Sequence, residues 1–147
     1  MKIRRAHDRD AEVITAQNIA LAKESEGIIL NNQTTLAGVT ALLVDTTKGF
    51  YLVAEENNTV IGQLMITFEW SDWRNRSLWW VQSVYVQEPW RKQGVFTELL
   101  DHAKEMAHRE GVPFLRLYVH DHNTSAQEVY EKMGWHHDPY RMYHLPV

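Results

Sequence analysis

Val84-Tyr85-Val86-Gln87-Glu88-Pro89-Trp90-Arg91-Lys92-Gln93-Gly94-Val95-Phe96 runs an apolar strand into a basic turn and then into a glycine that opens a helix. A helix start leaves backbone N–H groups without partners and carries about half a positive charge, so an anion can sit there while glycine lets the backbone approach it closely. Arg91 and Lys92 add positive charge at the same place. The pattern is that of a phosphate site. An ordinary solvated turn with two surface cations would show the same features, since short glycine turns before helices are common.

Working outward, residues 94–109 have the strongest helical period in the chain, with Val95, Phe96, Leu99, Leu100, Ala103, Met106 and Ala107 on one stripe and Gly111 as the stop. Upstream, residues 78–86 are apolar at both alternations except Gln82 and Ser83, which predicts a central strand covered on both faces. Residues 50–55 and 60–68 flank Asn57-Asn58 as a hairpin, and residues 70–77 form a polar, aromatic turn. Before them come a strand at 3–6, a helix from Asp8 or Asp10 to about 24, a loop at 27–32 and a helix at 34–44. After the central helix, a strand is expected at 114–119, a helix at 123–133 with Ser125 and Glu128 spaced as a capping box, and a last strand at 140–145. The order βααβββαβαβ implies an α/β fold, a mixed sheet with helices on both faces.

At 147 residues the chain has the size of one domain, and no linker, repeat or low-complexity stretch divides it, so one domain over 1–147 is expected. The net charge of −4 argues against a general affinity for nucleic acid, and any anion site must be local. The absence of cysteine excludes thiol nucleophiles, thiolate metal sites and disulfides. No segment reads as a signal peptide or membrane span, and the expected location is cytoplasmic.

Arg91-Lys92-Gln93-Gly94-Val95 resembles the pyrophosphate loop of the GNAT N-acetyltransferase superfamily, written Arg/Gln-x-x-Gly-x-Gly/Ala, although Phe96 stands where that motif has a small residue. The resemblance implies that the backbone of Val84 and Val86 bonds the pantetheine arm of acetyl-CoA. It likewise implies that the N–H groups of Gln93, Gly94, Val95 and Phe96 hold the pyrophosphate, beside Arg91 and Lys92. A second segment, Asn123-Thr124-Ser125-Ala126-Gln127-Glu128-Val129-Tyr130-Glu131-Lys132-Met133-Gly134-Trp135, is similar to the family pattern Asn-x-x-Ala-x-x-x-Tyr-x-x-x-Gly-Phe/Trp at every defined position. Asn123 caps a helix and can reach the pantetheine, small Ala126 allows close approach, and Tyr130 lies four residues on, on the same face. Tyr130 is then the general acid for the departing thiolate; the bland alternative is a tyrosine packed in the core.

An amine arrives as an ammonium and must lose a proton. Some amine acetyltransferases of the family that resemble this chain carry a Glu on the central strand where this chain has Gln82, so Glu69 is the first candidate base and Asp72 the second, although both also read as turn carboxylates balancing Arg74 and Arg76. Trp70, Trp73, Trp79 and Trp80 crowd the same turn. Trp70 and Trp73 with Asp72 and Gln82 would suit a small cationic amine, since a ring face attracts an ammonium.

The implied activity is transfer of an acetyl group from acetyl-CoA to a primary amine by direct attack in a ternary complex, with no metal. Gln82 and Phe96 motivate the alternative, a non-catalytic acyl-CoA-binding sensor or interaction module. Of the eight histidines, His120 and His122 would share one side of an extended segment but adjoin the Asn123 cap, and no helical His-x-x-x-His pair exists. A homodimer through the C-terminal strand would suit such a fold, and nothing in residues 140–147 demands one.

Overall fold

A computed structural model describes all residues, 1–147, as two compact units, Met1–Leu117 and Tyr118–Val147. In the first, β1 (Lys2–Arg5) leads through a 3₁₀ turn to α1 (Ala11–Glu26) and α2 (Asn32–Val44), followed by β2 (Gly49–Glu56), β3 (Thr59–Ser71), β4 (Arg76–Val86), α3 (Val95–Arg109) and β5 (Leu115–Arg116). The strands form one sheet in the order β1-β2-β3-β4-β5, antiparallel except for the parallel β4–β5 pair.

Side-chain alternation divides the core. Tyr51 and Val53 pack with Ile14 of α1 and with Val39 and Leu42 of α2. Phe50, Leu52 and Ala54 point to the other face, where α3 lies against β2, β3 and β4 and buries Leu99, Leu100, Ala103 and Ala107. Phe50 meets Trp79 edge-on at 5.3 Å, with Phe68 6.0 Å from Trp79, so the start of β4 is anchored by an aromatic cluster. β1 is tied down by a partly buried charge group. Arg4 donates to both carboxylate oxygens of Asp10, at 2.8 and 3.0 Å, and through Nε to Glu55 at 2.9 Å. Asp10 therefore spends its oxygens on Arg4 and the His7 amide instead of capping α1.

The second unit holds α4 (Thr124–Lys132), capped by Asn123, whose Oδ1 accepts the Ala126 amide at 3.2 Å, so the cap is Asn123 and not the Ser125/Glu128 pair. The strand expected at 140–145 does not form, and the observed order βααβββαβα lacks that last strand. Alternation of Tyr140, Met142 and His144 specifies a face but supplies no ladder, and Pro139 and Pro146 remove donors on both sides of the segment. Tyr143 and Leu145 stand exposed. The strand expected at 114–119 shrinks to Leu115–Arg116, just after Pro113. No helix is long and apolar enough to cross a membrane.

Candidate active site

The centre of the first unit is a break in β4. Gln63 pairs with Tyr85 and Met65 with Gln82, so the single residue Leu64 faces Ser83 and Val84, a β-bulge with Ser83 at φ 51°. Beyond it, the Gln87 amide donates to the Ile61 carbonyl at 2.9 Å. In an antiparallel ladder this makes Gln87 and Tyr85 the residues bonded to β3, so the N–H and C=O of Val86, and the carbonyl of Val84 in the same peptide as the Tyr85 amide, are directed out of the opposite edge. β5 pairs with β4 only at Trp79 and Trp80 and leaves that edge to other uses.

The loop that follows is fastened at several points. Gln87 Nε2 donates to the Val60 carbonyl at 3.0 Å, Gln93 Nε2 to the Pro89 carbonyl at 2.8 Å, and Arg91 Nε to the Val86 carbonyl at 2.8 Å. Lys92 at φ 61° and Gly94 at φ 83° turn the backbone into α3. Gly94 caps α3 without a side chain, and the first intrahelical bond runs from the Glu98 amide to Gly94. A Cβ built on Gly94 would meet nothing within 4 Å, so the cradle over the helix start is open. Gly62 supports it from below: a Cβ there would lie 3.0 Å from Val95 Cγ1 and 3.2 Å from the Tyr85 carbonyl, so any larger residue would press the first turn of α3 away from β3. Phe96, in the first turn of α3, is half-buried.

The two cations of the loop differ. Arg91 pairs with Glu24 of α1 at 2.7 Å and lies over the Tyr85 ring, whose hydroxyl also bonds Glu24 at 3.3 Å. The Glu24 bond raises the Arg91 pKa, so its charge is fixed and partly spent on holding the loop to α1. Lys92 is exposed, with no ion pair.

The expected acceptor-side residues do not gather in one place. Gln82 donates to Thr67 Oγ1 at 2.6 Å, next to the bulge. Glu69 lies four residues further along β3 than Met65, the partner of Gln82, about 13 Å away. It accepts from Trp80 Nε1 at 2.9 Å and pairs with Arg116 at 3.2 Å. Asp72 and Trp73 sit in the β3–β4 turn, beyond Ser71 and about 20 Å from Gln82, with Trp73 90% exposed and Trp70 63% exposed.

In the second unit, Tyr130 stacks edge-on with Trp135 at 5.9 Å, and its carbonyl accepts the Trp135 amide at 3.0 Å. Burial raises the Tyr130 hydroxyl above its ordinary pKa. His120 Nδ1 accepts the His122 amide at 3.2 Å. No group of three metal-ligating side chains forms.

Sequence reasoning missed Glu24, Gly62 and the bulge. The polar pair Gln82-Ser83 inside an otherwise apolar strand was the available signal for the last, because a bulge residue leaves the ladder. Nothing local marks Glu24 or Gly62, which act through residues 67 and 33 positions away, respectively.

A model of the acetyltransferase (GNAT) family matches residues 15–135. A solved structure from Clostridium difficile 630, described as a possible acetyltransferase, aligns at TM-score 0.95 and 39% identity over 99% of this chain and 97% of its own. A structure from Clostridium acetobutylicum, described as a predicted acetyltransferase with acetyl-CoA, aligns at TM-score 0.80 and 19% identity over 98% of this chain and 95% of its own, a likeness of fold. Thialysine N-epsilon-acetyltransferase of Bos taurus is 31% identical over 75 residues, which is 51% of this chain and 44% of the bovine protein. The chain thus spans less than half the length of that relative.

Proposed function

Because the chain belongs to the acetyltransferase (GNAT) family, we propose that it transfers the acetyl group of acetyl-CoA to a primary amine by direct attack in a ternary complex. The observation that carries the reading is the bulged β4 leading into an open, side-chain-free helix start at Gly94. In this reading the outward backbone groups of Val84 and Val86 bond the pantetheine, while Gln93, Gly94, Val95 and Phe96 receive the pyrophosphate on backbone N–H groups. Lys92 supplies the mobile positive charge and Arg91 the anchored one. The likeness of residues 123–135 to the family pattern supports Asn123 and Ala126 as further pantetheine contacts.

The cosubstrate supplies an activated thioester whose leaving group is a thiolate. Tyr130 is the proposed general acid: its raised pKa keeps the hydroxyl protonated at neutral pH, the state a proton donor needs. Glu69 is the proposed base, acting through water, since a carboxylate has lone pairs left after Trp80 and Arg116 are satisfied. The name of the bovine relative, an amino-acid acetyltransferase, supports a small cationic amine as acceptor over a protein lysine. Trp70, Asp72 and Trp73, at the hairpin tip, are better suited to meeting such a substrate on approach than to holding it at the reacting centre.

Thermal unfolding with acetyl-CoA tests the reading. At a hundredfold excess over Kd, ligand stabilises by about 2.7 kcal/mol, which for a chain of this size raises Tm by about 8 °C. No shift at millimolar acetyl-CoA would sink it. A second reading, a silent acyl-CoA-binding module, is favoured by one observation: beside the bulge stands Gln82, bonded to Thr67, instead of a carboxylate. It predicts the same Tm rise with no amine-dependent release of CoA.

A further inference from the structure

Beneath the bulge, on the α1 face of the sheet, lies a set of polar groups that no role above uses. Gln63 on β3 is 0% exposed, and its Nε2 donates to Asn18 Oδ1 of α1 at 2.7 Å and to the Ser83 carbonyl at 3.2 Å. Asn18 Nδ2 donates in turn to the Tyr51 hydroxyl at 3.2 Å, and that hydroxyl lies near Ser83. One chain of side-chain bonds, Tyr51–Asn18–Gln63, therefore ends on the bulge residue.

Ser83 needs this support. Its φ of 51° is left-handed, a region in which a residue with a Cβ is strained unless its surroundings hold it. If Ser83 relaxed to an extended conformation, β4 would slip by one residue against β3. Every side chain beyond would change face, and the outward backbone groups of Val84 and Val86 would turn into the β3 ladder. Tyr85 would leave Glu24 as well. Gln63 has a further mark of a residue kept for more than packing: its Oε1 is buried with no hydrogen-bond partner, a loss that an apolar side chain of similar volume would avoid.

We propose that Gln63 is a positioning residue for the acyl donor: by holding the Ser83 carbonyl, it keeps the β4 bulge in the conformation that presents Val84 and Val86 outward. Asn18 orients the Gln63 amide, and the Tyr51 hydroxyl in turn fixes Asn18. The inference rests on the reading that acetyl-CoA lies along β4.

The test measures acetyl-CoA binding by calorimetry on the natural chain and on Gln63→Met, with Tm taken for both. Gln63→Met keeps volume and deletes the donor; loss of the bonds to Asn18 and Ser83 is partly offset by removal of the unpaired Oε1, so Tm should fall by only a few degrees while acetyl-CoA binding weakens about tenfold. In steady state, KM for acetyl-CoA should rise by a similar factor while KM for the amine changes less than about twofold, a split that general destabilisation does not produce. Should Gln63→Met not fold, Asn18→Ala and Tyr51→Phe carry the test, each weakening acetyl-CoA binding about threefold. Unchanged binding in folded variants overturns the positioning role and leaves the acetyl-CoA reading intact. No binding by the natural chain overturns both.

Discussion

Gly94→Asp separates stability from binding because its two effects on stability oppose each other while its effect on binding does not. At φ 83° a residue with a Cβ costs about 1–2 kcal/mol. A carboxylate at a helix start returns about 0.3–1 kcal/mol, and a Cβ there meets no protein atom. The net loss is about 1 kcal/mol, a Tm decrease of about 3 °C. Binding has no such offset. The new carboxylate sits over the amides that are to receive pyrophosphate, and one unit charge about 5 Å from another at an effective dielectric near ~40 is worth about 1.7 kcal/mol. With more than one phosphate charge nearby, acetyl-CoA affinity should fall at least about thirtyfold, and the loss should shrink with salt. Gly94→Ala is the control: it carries the backbone cost without the charge and should lose only several-fold in affinity. Calorimetric titration of both variants at two salt concentrations, with Tm as the folding check, reads all of this. A folded Gly94→Asp protein that binds acetyl-CoA as the natural chain does would refute the reasoning.

Tyr130→Phe should lower kcat about a hundredfold with little change in KM for acetyl-CoA, because it deletes the proton donor and leaves the ring against Trp135; an unchanged kcat would make Tyr130 a packing residue. Gly62→Ala should cost about 1–3 kcal/mol in urea unfolding, since its Cβ lies 3.0 Å from Val95, and should weaken acetyl-CoA binding as the start of α3 lifts. Glu69→Gln should shift the pH–rate profile of amine acetylation if Glu69 is the base, whereas an unaltered profile removes it from that role. Burial alone would raise the Asp10 carboxyl, but Arg4, the His7 amide and Arg9 outweigh it and hold its pKa below the usual range. Its contribution is therefore complete above the unfolded value near ~3.9 and is lost as pH falls through the lower folded value. Asp10→Asn should cost about 3 kcal/mol at pH 7 and flatten the acid limb of stability.

What was legible in the sequence follows the range of the interactions involved. The stripe from Val95 to Ala107 is periodic within one helix, so α3 could be read directly, and the Asn123 cap and Gly94 turn are equally local. The hairpin of β2 and β3 follows from Asn57-Asn58, both left-handed in the structure. The tail is different: residues 140–145 have strand composition, but whether a strand forms depends on a ladder that composition does not encode. The candidate site divides in the same way. Its proposed cofactor side is a contiguous run of backbone from Val84 to Phe96, so the strand, turn and helix start that compose it are visible in the order of residues. The acceptor side depends on register: the β3–β4 pairing places Glu69 beside Trp80 and Arg116, and Asp72 and Trp73 at a distant tip. The bulge that orients Val84 and Val86 is held by Asn18, Tyr51 and Gln63, residues from three separate elements.

The most direct test of the central claim is the rate of CoA thiol release from acetyl-CoA with and without a panel of small primary amines, diamines and amino acids with side-chain amines. The account predicts release that depends on at least one amine and is matched mole for mole by the acetylated amine. Acetyl-CoA that raises Tm but releases no CoA with any amine or lysine peptide would contradict it and leave a binding module of the same fold.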